Sequence, residues 1–125
     1  MPPVEVIYDM SIQNPCERLK PLIEQYTGWD VSIMLAISES ESGCQNRRGD
    51  NHLTFNNGRH GMSCGVFQIR VLPERDVTCE TLADPFFNVE WAYKLYSQKN
   101  RYTDWSDYKN GKYLRFLPKY VTNKE

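Results

Sequence analysis

The sequence predicts a mainly α, α+β domain: one buried central helix, shorter helices around it, and a small irregular or β lobe from about residue 45 to 70. Three observations predict it. Residues 31–41 are nearly apolar between Ile33 and Ile37, as in a helix buried on all sides, and the run ends on Gly43. Residues 15–27 and 85–100 repeat apolar side chains at three- and four-residue steps. Residues 45–63 are polar and rich in glycine and asparagine, which breaks the helical pattern.

Each element has a local cause. Val4, Val6 and Tyr8 alternate with polar residues, so residues 1–14 read as a peripheral extended arm. Asn14 before Pro15 is a helix start, and Leu19, Leu22, Ile23 and Tyr26 follow at helical spacing until Thr27-Gly28. Pro21 falls inside that pattern and is expected to mark the true first turn. Asp30 caps the central helix, which carries Val31, Met34, Leu35 and Ile37. The polar stretch 45–63 reads as a long loop with a small hairpin around Asn57-Gly58. Gly65 to Leu72 fits a strand or a short helix equally well. Asp84-Pro85 opens a helix through Phe87, Val89, Trp91, Ala92, Leu95 and Tyr96 to about Asn100. Residues 102–117 are short helix or turn, dense in aromatics, and 119–125 form a peripheral tail.

The chain has 125 residues, enough for a single domain spanning 1–125, expected to act as a monomer. Apolar residues make up 40% and charged residues 25%, an ordinary globular composition. A net charge of −1, with no basic arm, argues against a nucleic-acid partner. No apolar run is long enough for a membrane span. Cys16, Cys44, Cys64 and Cys79 form no C-x-x-C pair, and His52 and His60 do not complete a zinc spacing, so neither a metal nor another cofactor is expected. Two disulfides in an exported protein are the better reading. Local loop closure favours Cys16–Cys44 and Cys64–Cys79, although the spacing leaves the other pairings open. Met1-Pro2-Pro3 lacks the charged start and apolar run of a leader. An exported chain of this kind, secreted or held in the cell envelope, is expected to follow a cleaved leader.

Two carboxylates compete at the end of the central helix. Residues two apart on a helix point to nearly opposite faces. Glu41 shares the face of Met34 and Ile37, whereas Glu39 lies nearer Ser32, Leu35 and Ala36. A carboxyl packed on Met and Ile loses solvent, so its pKa rises and it can donate a proton near neutral pH. Charge pattern alone also allows both glutamates to be solvated near a fraying helix end.

Four segments, in order, carry a family resemblance. They are Leu35-Ala36-Ile37-Ser38-Glu39-Ser40-Glu41-Ser42-Gly43, then Gly65-Val66-Phe67-Gln68-Ile69, then Asp84-Pro85 with Asn88, then Trp105-Ser106-Asp107-Tyr108-Lys109-Asn110-Gly111. Together they resemble the lysozyme-like superfamily, most of all the soluble lytic transglycosylase (SLT) type of domain. The resemblance implies a lysozyme-like fold with a cleft between the small lobe and the helices, and Glu41 as the catalytic acid. It implies peptidoglycan glycan strands as the partner and cleavage of the bond between N-acetylmuramic acid and N-acetylglucosamine.

Departures from the family bear on the chemistry. Chicken-type lysozymes have an aspartate two residues before the glycine of the Gly-x-x-Gln-Ile segment; here that residue is Ser63. A retaining glycosidase needs two carboxyl groups roughly 5 Å apart, and an inverting one needs a second carboxylate with room for water. Asp50 is the one nearby candidate for a secondary carboxylate. With a single acid, the implied reaction is intramolecular formation of a 1,6-anhydro ring; hydrolysis assisted by Asp50, or a silent glycan-binding module, are the alternatives. Ser42, Ser63, Gln68, Phe67 and Tyr108 are the substrate-binding candidates. Ser42 orients Glu41 or bonds the helix end, Gln68 bonds a substrate acetamido group or a loop backbone, and Phe67, with Val66, forms a sugar-facing wall or joins the core. Trp91, Tyr93, Tyr96, Trp105 and Tyr113 include ring-stacking candidates that double as core residues, and His60 is a loop residue that could meet substrate.

Overall fold

The computed structural model describes residues 5–54, 60–72 and 74–121, with side chains described outside 50–61 and 99–100. Helix α1 spans Pro15–Glu24 and α2 spans Val31–Ser42. Strands β1 (Arg48–Thr54), β2 (His60–Cys64) and β3 (Ile69–Val71) follow. The chain then forms α3 (Cys79–Leu82), α4 (Pro85–Leu95), a π-helical turn at Tyr96–Asn100 and a 3₁₀ turn at Arg101–Asp104. Helix α5 (Ser106–Lys109) and 3₁₀ turns at Lys112–Arg115 and Leu117–Lys119 complete it. This is a mostly helical fold with one small antiparallel sheet of order β1-β2-β3. Among the described residues no helix is long and apolar enough to cross a membrane.

The helix ends follow the expected caps. The Asn14 side chain accepts from the backbone N–H groups of Cys16 and Glu17, and Asp30 accepts from that of Ile33. Gly43 ends α2 in the left-handed region at φ 69°. Pro21 lies inside α1 rather than at its first turn, which Pro15 occupies. The helix tolerates it there because its opposite face is held in the core by Leu19, Leu22 and Ile23.

Helix α2 is the centre of the molecule: Met34, Leu35, Ala36, Ile37 and Ser38 are all buried. Against it pack α1 and the aromatic C-terminal segment; α4 packs on α1, α3 and β3, and the sheet stands to one side. The polar stretch expected as a loop is largely a hairpin, with Arg48 opposite Cys64, Gly49 opposite Ser63 and Asp50 opposite Met62. The hairpin tip, where Asn57-Gly58 was placed, lies outside the described residues. Residues 65–68 form a turn and β3 begins at Ile69, so the ambiguous segment is turn then strand. Both expected disulfides are present, with Cα–Cα distances of 5.1 Å for Cys16–Cys44 and 5.4 Å for Cys64–Cys79. The first ties α1 to the end of α2; the second ties β2 to α3.

Candidate active site

One cavity of about 290 Å³ lies between the sheet and the helices. Ser63, Gln68, Ile69 and Arg70 line its lobe side, and Leu95, Asp104, Trp105 and Lys109 line its helical side. Glu41, from the last turn of α2, opens into it.

The turn before β3 forms the cavity wall and is held by a buried amide. Asn88 of α4 accepts from the Phe67 N–H at 3.0 Å and donates to the carbonyls of Cys64 at 3.0 Å and Leu82 at 2.9 Å. It thereby satisfies one backbone group of the turn, one of β2 and one of α3. Gly65 stands against this amide at φ 85°, and a Cβ there would come within 1.9 Å of Asn88 Nδ2. Gln68 itself adopts φ 48°, a left-handed conformation that costs a non-glycine residue on the order of 1 kcal/mol. Its side chain offsets this by donating to the carbonyls of Arg47 at 2.8 Å and Gly65 at 3.0 Å.

Glu41 is mostly buried, and loss of solvent raises its pKa from 4.5 to about 7. The negative charge of Asp107 pushes the same way. The Asp107 backbone N–H, donating to Glu41 Oε2 at 3.2 Å, and the charges of Lys112 and Arg70 pull back. The Asp107 carboxylate accepts from Ser40 Oγ at 2.6 Å. Glu39 leaves α2 on another side and engages the C-terminal segment. It pairs with Lys119 Nζ at 2.9 Å and accepts from the Tyr120 hydroxyl. The two glutamates thus occupy separate environments, neither of them the solvated helix end that charge pattern alone allowed.

Several expected site residues sit elsewhere. Ser42 is buried, and its hydroxyl bonds the carbonyls of Ser38 at 3.1 Å and Val66 at 2.6 Å, so it fastens the helix end to the turn and does not face the cavity. Phe67 is fully buried, packed with Trp29 and Trp105, because the turn that exposes Gln68 directs Phe67 inward. Tyr108 packs between Tyr102, tilted at a centroid distance of 5.0 Å, and Tyr113, stacked at 4.8 Å, and is not among the cavity-lining residues. Tyr93 and Tyr96 bond the carbonyls of Thr27 and Gly28, and Trp105 Nε1 bonds the Phe67 carbonyl, so these rings serve the core. Trp91 is half-buried beneath the cations of Lys94 and Arg75. Ser63 and Gln68 line the cavity as expected. The side chains of Asp50 and His60 lie outside the described residues. Among the described residues no three His, Cys, Asp or Glu side chains form a metal-binding group.

Sequence reasoning missed Asp107, Arg70, Arg75 and Asp104. The aspartates sit beside the recognisable Trp105-Ser106 pair, which was the available signal; the arginines carry no local pattern. A family model described as a lysozyme-like domain matches residues 25–107, which include Glu41, the sheet, α3, α4 and Asp107. No curated protein and no solved structure matches the chain.

Proposed function

This chain belongs to the lysozyme-like domain family, and on that premise we propose that it is a lytic transglycosylase. It cuts the β-1,4 bond between N-acetylmuramic acid and N-acetylglucosamine in peptidoglycan strands. The observation that carries the reading is Glu41: a carboxyl with a pKa of about 7, opening into the cavity between lobe and helices. Such a group is protonated often enough near neutral pH to act as a general acid.

In this reading Glu41 gives its proton to the glycosidic oxygen as the bond from that oxygen to C1 of the muramic acid breaks. The 2-acetamido oxygen of the same sugar stabilises the cationic C1. The Glu41 carboxylate then takes the proton of the C6 hydroxyl, whose oxygen closes onto C1. The products are a 1,6-anhydro end and a free 4-hydroxyl, with no water consumed and Glu41 protonated again. The single-acid route is favoured by the neighbours of Glu41. Among the described residues, Asp107 is the carboxylate that acts on Glu41, and it is engaged by Ser40 and does not line the cavity. Ser63 and Gln68 are the residues that meet the strand. The disulfides suit a site of action outside the reducing cytoplasm.

Digestion of purified peptidoglycan with mass analysis of the products tests the proposal. Anhydro-muropeptides are expected, and Glu41→Gln is expected to lose on the order of 10²-fold or more in rate while remaining folded. Reducing ends carrying solvent oxygen would replace this reaction by hydrolysis. An unchanged Glu41→Gln rate, or no cleavage by the native chain, would remove the enzymatic reading.

A further inference from the structure

Arg70 and Arg75 line the cavity that Glu41 enters, with Lys109 contributing a third cation. Arg70 lies in β3 and Arg75 shortly after it. Arg75 is fixed from two sides: Nη1 donates to the Arg70 carbonyl at 2.9 Å, and the guanidinium lies 5.9 Å from the Trp91 ring centroid. Burial weakens its hold on its proton, and the charge of Arg70 adds to that; Asp104 and Glu74 oppose it from a distance. The ion pairs among the described residues are Lys20–Glu24 and Lys119–Glu39, so neither arginine is neutralised by direct contact there. The acidic residues lining the cavity are Glu41 and Asp104, and Glu41 is largely uncharged below about pH 7. A chain of net charge −1 therefore lines this cavity with an excess of positive charge. A half-buried guanidinium beside a second one has given up solvation that an anion in the cavity would restore, and its planar fork matches a carboxylate.

Resting on the proposed function, we propose that Arg70 and Arg75 form a subsite for a carboxylate borne by the muramic acid of the strand. That sugar carries a lactyl carboxylate when bare and peptide carboxylates when substituted, whereas chitin carries none. Carboxylate binding would make the cleft selective for peptidoglycan over neutral glycans.

The test is binding of soluble strands to the Glu41→Gln protein, which holds substrate without cutting it. Three strand forms are compared: peptide-bearing, peptide-free with bare lactyl carboxylates, and the same strands with every carboxylate blocked as a neutral methylamide. At least one carboxylate-bearing form is expected to bind about tenfold more tightly than its blocked counterpart. Which form does so identifies the source of the carboxylate. Adding Arg70→Gln and Arg75→Gln is expected to abolish that preference while leaving affinity for blocked strands unchanged, and Arg75→Lys alone is expected to retain part of it. Raising the ionic strength should shrink the preference in the otherwise unaltered protein, a readout that needs no arginine variant to fold. Equal affinity for blocked and unblocked strands, or a preference that survives both glutamines, would overturn the subsite alone. Failure to bind any strand form, with no cleavage by the native chain, would overturn the proposed function and the subsite with it.

Discussion

The Asp107 backbone N–H donates to Glu41 Oε2 at 3.2 Å, across 66 residues of sequence. The same residue receives Ser40 Oγ on its carboxylate at 2.6 Å. Two adjacent residues of α2 are thus fastened to one residue of α5, and Asp107 acts on Glu41 in opposite senses. Its N–H favours the ionised carboxyl and its charge disfavours it, while burial remains the largest influence.

Asp107→Asn keeps the N–H and removes the charge. The Glu41 pKa is expected to fall from about 7 toward the ordinary carboxylate range. Because the protonated form is the acid, the limb on which activity declines with rising pH should move to lower pH. Ser40→Ala should move it less, since the Asp107 charge remains. A pH–rate profile reads this directly; an Asp107→Asn profile superimposable on that of the native chain would show that the charge does not reach Glu41.

Stability should fall with rising pH for the same reason. A carboxyl whose pKa is raised from 4.5 to about 7 on folding binds more protons in the folded state between those values. Its contribution is complete below about pH 4.5 and is lost as pH rises through 7. The shift corresponds to roughly 3 kcal/mol as an upper bound. Glu41→Gln should therefore melt at a higher temperature than the native chain at pH 8 and at nearly the same temperature at pH 4. Melting by circular dichroism at both values checks it, and a variant less stable at pH 8 would contradict the desolvated environment assigned to Glu41.

What could be read from the chain was what is decided locally. Asn14, Asp30 and Asp84-Pro85 start helices because their side chains meet N–H groups two or three residues on, and Gly43 stops one because its backbone turns left-handed. Helical spacing set Glu41 and Glu39 on different faces, and the family resemblance chose Glu41 as the one facing the cleft. The hairpin itself was signalled by Asn57-Gly58, but the extent and register of β1 and β2 were not legible, because a polar strand pair shows no alternation. The sequence left Phe67 and Ser42 open between site and core, because their burial is set by the 65–68 turn, whose shape depends on Asn88, 21 residues beyond Phe67. The cations of the cavity were invisible for a related reason: Arg70 and Arg75 acquire meaning only once the fold brings them to the cavity that Glu41 lines.

Asn88 should be among the least replaceable polar residues for stability. Asn88→Ala strands the buried Phe67 N–H and frees the Cys64 and Leu82 carbonyls, at a cost of about 2–4 kcal/mol. Gly65→Ala should be worse: it combines φ 85° with a Cβ 2.4 Å from the Leu82 carbonyl oxygen and closer still to Asn88. Denaturant unfolding of both variants measures this. An Asn88→Ala midpoint close to that of the native chain would mean the turn finds other partners.

The disulfides are expected to matter unequally. In the loop-entropy account, closing the 28-residue separation of Cys16–Cys44 is worth roughly 3–4 kcal/mol, slightly more than the 15-residue separation of Cys64–Cys79. Their positions differ more than their loop lengths. Cys44 directly follows the Gly43 cap of α2, three residues from Glu41, and is fully buried, whereas Cys79 is half-buried at the start of the short α3. Cys16→Ser with Cys44→Ser should therefore lower the melting temperature and also blunt activity at temperatures where the fold persists, because the end of α2 loses its tether. Cys64→Ser with Cys79→Ser should lower stability with a smaller effect on rate below the melting transition. Paired melting curves and rates for the two double variants separate these outcomes; a larger rate loss in the Cys64–Cys79 pair would shift the positioning role from the end of α2 to the lobe.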